Sequence, residues 1–506
     1  MDCQVVYICD CIPARIRHAL AKLPGTLDET YERTLREINN ANWEFAHRMF
    51  QFVAVASRPL MVEELAELLA FDFKSEEGSM PKFYTDWRLE NPQEVLSLCS
   101  SLLTIVDHGH SPVIQFSHFS VKEFLTSTRL ANAADVTSRR YHVSMTPAHA
   151  LAAKACLGIL LHLNEDVVTR DGPENFPLAI YAAEHWVHHA QFEDVSRIVE
   201  DGMKQLFNPR ESHLAVCLWI YDPCGSYYPY NQYVPRRKRN LQAERPFPPL
   251  RAPLHYAASW GLHSIIEFLV SDHSQDVHCR DFINCSTPLH LASKNGHVEA
   301  ARILIERGAD MTAEDNDGES PLHLALHQEN VEVARMLIER GTAVAARNKV
   351  GDTPLHLALR QTEMEVARML IERGASMTAQ NGVGETPFHR VLRHGEVDVA
   401  RMFIEHGADM AAQNDDGETM LHLASRHGQM DFVRMLIASE HGADITTAQN
   451  KDGKTPFHLA LDHGQVEVAR MFIEHGVDMI AHNRDGGTVT PGLGISRSAK
   501  RKQESA

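Results

Sequence analysis

Histidine is abundant in this sequence, with 31 residues, and two of its patterns invite a chemical reading. In Glu184-His-Trp-Val-His-His189, His185 and His189 stand one helical turn apart, the spacing that lets two imidazoles share a metal ion. No carboxylate or thiol is placed to complete the shell, so the pattern reads as an amphipathic helix surface and no metal is expected. The second pattern is a phrase that returns seven times: Ala252-Pro-Leu-His255, Thr287-Pro-Leu-His290, Ser320-Pro-Leu-His323, Thr353-Pro-Leu-His356, Thr386-Pro-Phe-His389, Thr419-Met-Leu-His422 and Thr455-Pro-Phe-His458. Nothing else at the register of these histidines supplies a ligand or a nucleophile. Gly453-Lys-Thr455 imitates the end of a phosphate-binding loop, but Ala448 stands where G-x-x-x-x-G-K-[ST] needs its first glycine. No G-x-S-x-G or H-E-x-x-H sequence places a serine or histidine for catalysis. The expectation is a chain that is not an enzyme and needs no cofactor.

The elements around the repeated phrase explain it better than chemistry does. From His290 to His422 the step is 33 residues each time, and the two outer intervals are 35 and 36. A period of this size marks a solenoid. The threonine or serine caps a helix start, and the proline sits at the first helical position, where a missing N–H costs nothing. The short helix breaks near Gly296, Gly395, Gly428 or Gly464, and a second helix such as Val331–Glu339 runs to a glycine, here Gly341. In the corresponding helix one repeat earlier the face Val298, Ala301, Leu304 and Ile305 is apolar, while Glu299, Arg302 and Glu306 share the wet face. Polar turns such as Asp315-Asn-Asp-Gly318 then project as fingers. One helix pair cannot bury its own apolar face, so the pairs must stack.

The T-P-L-H-x-A, G-H-x-E and G-A-D elements make these units resemble ankyrin repeats, over nearly half of the chain. The resemblance implies that His290, His323, His356, His389, His422 and His458 tie helix and finger together by hydrogen bonds.

Composition sets the outer limits. The 506 residues have room for two or three domains, and 44% hydrophobic content indicates a mostly folded chain. A net charge of −18 disfavours nucleic acid as a partner, and no apolar run reaches membrane-spanning length, so no membrane is expected. Nine cysteines without a C-x-x-C pair read as thiols in a reducing compartment, and the start shows no secretory signal; the location expected is intracellular, cytoplasmic rather than nuclear.

Before the repeats the periodicity predicts helices at 12–20, 26–38, 45–55 and 58–70, the last with Leu65, Leu68 and Leu69 on one side, then a hairpin of 101–106 with 113–116. Ser120-Val-Lys-Glu123 reads as a capping box opening a helix from Val121 to about Leu130. This order suggests a winged helix. Thr26-Leu-Asp-Glu-Thr-Tyr31, Ala56-Ser-Arg-Pro-Leu60 and Gln115-Phe-Ser-His-Phe-Ser-Val-Lys-Glu-Phe-Leu125 resemble the segment that follows the nucleotide-binding NACHT module in fungal NACHT-ankyrin proteins of the STAND class. In that family the segment relays the state of the module to the repeats. No Walker-type loop occurs in this sequence.

The fold expected is therefore mostly α: residues 1–145 a winged-helix-like segment with a small β-hairpin, 146–207 a helical continuation, 208–250 a linker, 251–482 seven ankyrin-type repeats, and 483–506 a polar basic tail. At the exit of each first helix stand Lys294, His327, Arg360, Arg393 and Arg426, followed in the next register by Gln361, His394 and His427. In ankyrin-like stacks these registers face the concave groove. Four residues before the motif histidine stand Glu319, Asp352, Glu385 and Glu418, an acidic ladder near the fingers. The function expected is an adaptor or scaffold that binds a protein partner along this groove. The alternative is the regulatory and sensor half of a NACHT-type NTPase, partnered by a NACHT-type nucleotide-binding protein. A solvated surface whose two ladders neutralise each other is the structural reading.

Overall fold

The computed structural model describes residues 26–74, 80–98, 100–107, 112–221, 251–360, 363–394, 397–439, 442–476, 481–482 and 488–489. The helix expected at 12–20, most of the linker and nearly all of the tail lie outside these residues. The chain divides into two compact units, Met1–Pro253 and Leu254–Ala506.

Among the described residues the first unit opens with α1 (Leu27–Glu37), capped by Thr26, whose Oγ1 accepts from the Glu29 N–H at 3.2 Å. α2 (Trp43–Val55) follows and buries Phe50 and Phe52. The single helix expected at 58–70 is divided. Leu60–Met61 is a strand, β1, and only Val62–Glu67 is α-helical, as α3. The reason is local: Glu64 is buried and turns back to accept the Met61 N–H at 2.8 Å while two Arg58 N–H groups donate to it at 2.8 and 2.6 Å. That start sets the first helical residue at Val62 and leaves Leu60 and Met61 extended beside the hairpin. β2 (Phe71–Asp72) pairs with β3 (Lys82–Phe83), and β4 (Leu103–Asp107) pairs with β5 (Pro112–Phe116). The order β1-β5-β4, with Leu60 opposite Ile114, is the wing.

α4 (Phe119–Leu125) is capped by His118, not by Ser120, because the Ser120 hydroxyl is engaged by Tyr31 (2.7 Å) and by His118 Nδ1 (2.6 Å). The helix expected to reach Leu130 stops at Leu125, and Ser127 caps a new start, α5 (Thr128–Ala131). A single turn, α6 (Val136–Arg139), leads to α7 (Met145–His162), which is apolar on all sides and buried along most of its length. Gly158 is required there, since a Cβ would lie 2.9 Å from Phe71 and from the Pro81 carbonyl. α8 (Glu165–Asp171), α9 (Pro177–Ala190), α10 (Val195–Ile198), α11 (Glu200–Leu206) and α12 (His213–Ile220) surround it. The helical block thus extends to Ile220, past the boundary expected at 207.

The second unit is the stack. The repeats contribute the pairs α13 (Pro253–Ser259) with α14 (His263–Glu267), α15 (Pro288–Lys294) with α16 (Val298–Glu306), α17 (Pro321–His327) with α18 (Val331–Glu339), and α19 (Pro354–Arg360) with α20 (Met364–Glu372). They continue with α21 (Pro387–His394) and α22 (Val397–Glu405), then α23 (Met420–His427) and α24 (Met430–Ile437). An inserted turn, α25 (Gly442–Thr447), precedes the last pair, α26 (Pro456–Asp462) and α27 (Val466–Glu474). That insert accounts for the longer last interval. In the first interval one extra residue is absorbed by the π-helical turn Phe268–Asp272, so that Gln275 N–H, not its neighbour, reaches the Leu269 carbonyl at 3.0 Å. β6 (Ala481–His482) pairs with β7 (Thr488–Val489) after the seventh repeat.

Each motif histidine is a clasp between repeats. The Thr353 N–H donates to His356 Nδ1 at 3.1 Å and the Thr353 hydroxyl lies 2.9 Å from the same nitrogen, so Nδ1 holds no proton. The proton is on Nε2, which donates to the carbonyl of Glu385 in the following finger at 3.0 Å. His290, His323, His389 and His422 repeat this with Glu319, Asp352, Glu418 and Lys454 at 3.0, 3.3, 3.3 and 3.0 Å. All five are buried, and burial depresses the pKa of each, that of His422 to about 4.

Two outcomes follow. His356→Ala removes the donor to a buried carbonyl and leaves a cavity, and is expected to cost about 3 kcal/mol in urea unfolding, whereas His263→Ala on the surface costs less than about 0.5. Because the folded histidines have lowered pKa values, the unfolded chain binds more protons below the unfolded value of 6.5. Stability of the repeats is therefore full above pH 6.5 and declines as pH falls towards 4, with His422 alone contributing roughly 3 kcal/mol of that loss. Circular dichroism melts across this window check it; a flat profile would contradict the assigned tautomer.

Candidate partner-binding face of the repeats

The fingers form a second ladder, and the acidic register belongs to it. Asp315, Asn348, Asn381, Asn414 and Asn450 sit at the finger bases, and their side-chain oxygens accept the backbone N–H of Glu319, Asp352, Glu385, Glu418 and Lys454 at 2.8 to 3.0 Å. The amide of Asn348 then donates to Glu319 at 2.9 Å and that of Asn381 to Asp352 at 2.9 Å, across neighbouring repeats. Backbone bonds join finger to finger, such as Gly382 N–H to the Val350 carbonyl at 2.8 Å. The finger glycines are needed for this approach: Gly351 has φ 81°, and a Cβ on it would lie 2.7 Å from the Gly382 nitrogen. In the first finger Cys285 takes the same left-handed conformation, at φ 54°.

This corrects the reading of Glu319, Asp352, Glu385 and Glu418 as groups offered to a partner. Asp352, Glu385 and Glu418 are buried and Glu319 is half-buried. Glu319 accepts from His327 Nε2 at 3.0 Å, Asp352 from Arg390 at 3.0 Å, Glu385 pairs with Arg390 at 3.1 Å, and Glu418 pairs with Arg426. Burial pushes Glu319 upward, but the hydrogen bonds from His327 and Asn348 outweigh it and hold its pKa below the ordinary value. For Glu418 burial prevails and the pKa is raised. Arg390, which bridges two carboxylates, was not singled out in the sequence; its signal was a charged residue where the other motifs place an apolar one.

The basic register is divided. Arg360 donates to His327 Nδ1 at 2.5 Å, which makes His327 a neutral relay to Glu319. Arg426 is spent on Glu418. Lys294 and His427 are exposed. Gln361 lies outside the described residues, as do the side chains of Arg393 and His394. The last repeat carries the pair with reversed polarity, Lys454 Nζ to Asp462 at 2.9 Å. The two ladders thus meet inside a repeat at a spacing of eight residues in Glu319 with His327 and Glu418 with Arg426, whereas Asp352 is met by Arg390 of the next repeat.

What the array leaves open is at the fingertips. Phe282 is 86% exposed, Ile283 is exposed next to it, and Val350 and Val383 are exposed two and three fingers further along, in fingers whose backbones are fixed to one another. Nothing in the folding of the stack requires apolar side chains there.

Of the pair read as an amphipathic surface, His185 is half-buried, but His189 is fully buried and belongs to the core. Ser57 N–H donates to the Tyr181 hydroxyl at 3.2 Å, which therefore donates to His189 Nε2 at 2.8 Å. His189 Nδ1 then donates to His149 Nδ1 at 3.0 Å, and His149 stacks on Phe192 at 3.9 Å. Burial lowers both pKa values, that of His189 to about 3. Among the described residues no group of three potential ligands gathers at a metal distance, and no single helix is long and apolar enough to cross a membrane.

Comparison with known proteins agrees with the fold. The model of ankyrin repeats in three copies matches residues 240–315, 289–381, 340–414, 377–449 and 412–483, and that of the GPI inositol-deacylase winged helix domain matches residues 32–137. The chain is an ankyrin-repeat protein whose repeats follow a NACHT-associated winged helix domain, an organisation that fits a role in protein interaction. Azaphilone pigments biosynthesis cluster protein L of Monascus ruber is 28% identical to it over 306 residues, 58% of this chain and 61% of that protein. The chain therefore spans about three fifths of that relative. Over single stretches of repeats, alpha-latrocrustotoxin-Lt1a of Latrodectus tredecimguttatus is 40% identical over 62 residues (12% of this chain, 4% of the toxin). Mouse protein phosphatase 1 regulatory subunit 27 is 36% identical over 83 residues (16% of this chain, 53% of that subunit).

Arg426→Asp is expected to destabilise the array by about 2 kcal/mol, because it leaves the buried Glu418 facing a like charge. Glu418→Lys combined with Arg426→Asp, which copies the Lys454 and Asp462 arrangement, recovers at least half of that loss in a double-mutant cycle. Additive losses would show that the pair is not coupled.

Proposed function

We propose that the chain is a non-catalytic adaptor that captures a protein partner on the fingertips and the adjoining concave face of its repeats. The observation that carries this reading is the exposed set Phe282, Ile283, Val350 and Val383, held at fixed spacing by backbone hydrogen bonds between fingers. A preorganised array of apolar anchors loses little entropy on binding, and the polar rim of Lys294 and His427 selects for complementary charge. The Arg390, Arg426 and His327 networks keep the fingers rigid and are supports of the face.

A second reading rests on the winged helix domain. Leu27 and Phe119 expose most of their surface at the starts of α1 and α4. A NACHT-type nucleotide-binding protein that packs on this domain would make the chain the regulatory half of a switch.

One experiment separates them. The full chain and its Phe282→Asp/Val350→Asp/Val383→Asp variant are used for quantitative affinity capture from cell extract. The adaptor reading expects the principal partner to fall at least tenfold while the melting temperature moves by less than about 2 °C, since surface changes are worth at most about 0.5 kcal/mol each. A nucleotide-binding protein retained equally by both forms supports the second reading and removes the first.

A further inference from the structure

The seven repeats act as internal controls for one another, and one surface of the seventh departs from the rest. The second helices are nearly the same sequence: Val331-Glu-Val-Ala-Arg-Met-Leu-Ile-Glu339 in α18, Met364-Glu-Val-Ala-Arg-Met-Leu-Ile-Glu372 in α20 and Val466-Glu-Val-Ala-Arg-Met-Phe-Ile-Glu474 in α27. In α18 and α20 the isoleucine near the end is covered by the following repeat, Ile338 to 1% exposure and Ile371 to 9%. Its counterpart Ile473 is 53% exposed, and Val466, two turns earlier on the same side, is 60% exposed. The glycines give the same result. A Cβ on Gly296 would strike Asn330 of the next repeat at 2.6 Å and one on Gly428 would strike Gln465 at 2.3 Å, whereas one on Gly464 meets nothing within 4 Å. The seventh repeat thus presents, uncovered, a face whose last isoleucine is buried in α18 and α20 and whose first residue is half-buried there, as Val331 and Met364.

We infer that this face docks a second copy of the chain through the same face, giving a two-fold tail-to-tail dimer. The occupant follows from chemical identity and charge. Every other copy carries an identical patch, and two-fold symmetry is the simplest closed arrangement for a patch that pairs with itself. With two α27 helices antiparallel, Val466 of one lies opposite Ile473 of the other. At about 1.5 Å rise per residue, Arg470 then falls about 3 Å along the axis from Glu467 of the second copy, so both arginines gain a carboxylate. Within one chain Arg470 reaches Glu467 only at 3.6 Å, with both side chains about two thirds exposed. Arg335, at the register of Arg470, already pairs with the next repeat in this way, meeting Glu365 at 3.0 Å. The contact is independent of the fingertip reading, since it uses the end of the stack.

The test is sedimentation velocity of the full chain from about 1 to 100 µM, with Val466→Glu/Ile473→Glu and Arg470→Glu beside it. The unmodified chain is expected to shift from monomer to dimer across this range, and Val466→Glu/Ile473→Glu to remain monomeric at an unchanged melting temperature. Arg470→Glu weakens the dimer at least fivefold, and Arg470→Glu/Glu467→Arg restores it. A monomer throughout overturns the proposal, as does a dimer indifferent to Val466→Glu/Ile473→Glu. A monomer whose melting temperature falls in Val466→Glu/Ile473→Glu also overturns it, because the face would then be covered by the chain itself.

Discussion

The second unit depends on one hydrogen bond made six times among the described residues, from a buried histidine Nε2 to the carbonyl at the base of the next finger. A stack of helix pairs held only by apolar contact would be free to slide and rotate, because leucine faces are tolerant of small displacements. The histidine removes that freedom. Its two nitrogens are committed in opposite senses, Nδ1 accepting within its own repeat and Nε2 donating to the next, so only one registration of neighbouring units satisfies both. Neutrality is part of the mechanism, since a second proton would turn the accepting nitrogen against the N–H that serves it.

Fixing the helices also fixes the fingers. The carbonyl that receives Nε2 belongs to the residue whose N–H is held by the finger-base asparagine or aspartate, and the amide of Asn348 or Asn381 reaches back to the carboxylate of the previous finger. Clasp, finger base and carboxylate form one connected polar chain along the array. Its members are buried or half-buried, where a hydrogen bond left unmade is costly, so the fingers hold their spacing before any partner arrives. An apolar tip on such a finger is presented as a fixed point.

The sequence made the repeats legible because a period of 33 residues appears at every level, in caps, helix breaks and finger glycines. It also placed Thr26, the hairpin and α2 correctly, where local signals agree with the fold. It failed where a side chain serves a distant element. Ser120 resembles a cap, but Tyr31, 89 residues away, takes its hydroxyl. Glu64 sits in a helical pattern, yet it folds back on Met61 and converts the residues before it into a strand. The acidic ladder misled for the same reason: periodic charge was visible, but not the asparagine of the following repeat that draws it inward. Exposure could not be read from spacing, and so the apolar fingertips went unnoticed beside the charges.

Those fingertips and the open end of the seventh repeat are apolar exposures with different causes. At the end, Ile473 keeps the identity of Ile305, Ile338, Ile371, Ile404 and Ile437 at the same register, so its exposure follows from position. At the tips, Val350 and Val383 occupy the register where other fingers carry Asp317 or Asp416, and Phe282 lies in the longer first finger, two residues before Asn284 at that register, so packing does not dictate their character. A residue that is apolar because its register requires it shows what the stack would cover next. One that is apolar where the register leaves the choice open shows what the stack presents outward. Comparison among the repeats of one chain thus separates the two surfaces, and each calls for its own class of occupant, an ankyrin repeat at the end and a separate protein partner along the fingers.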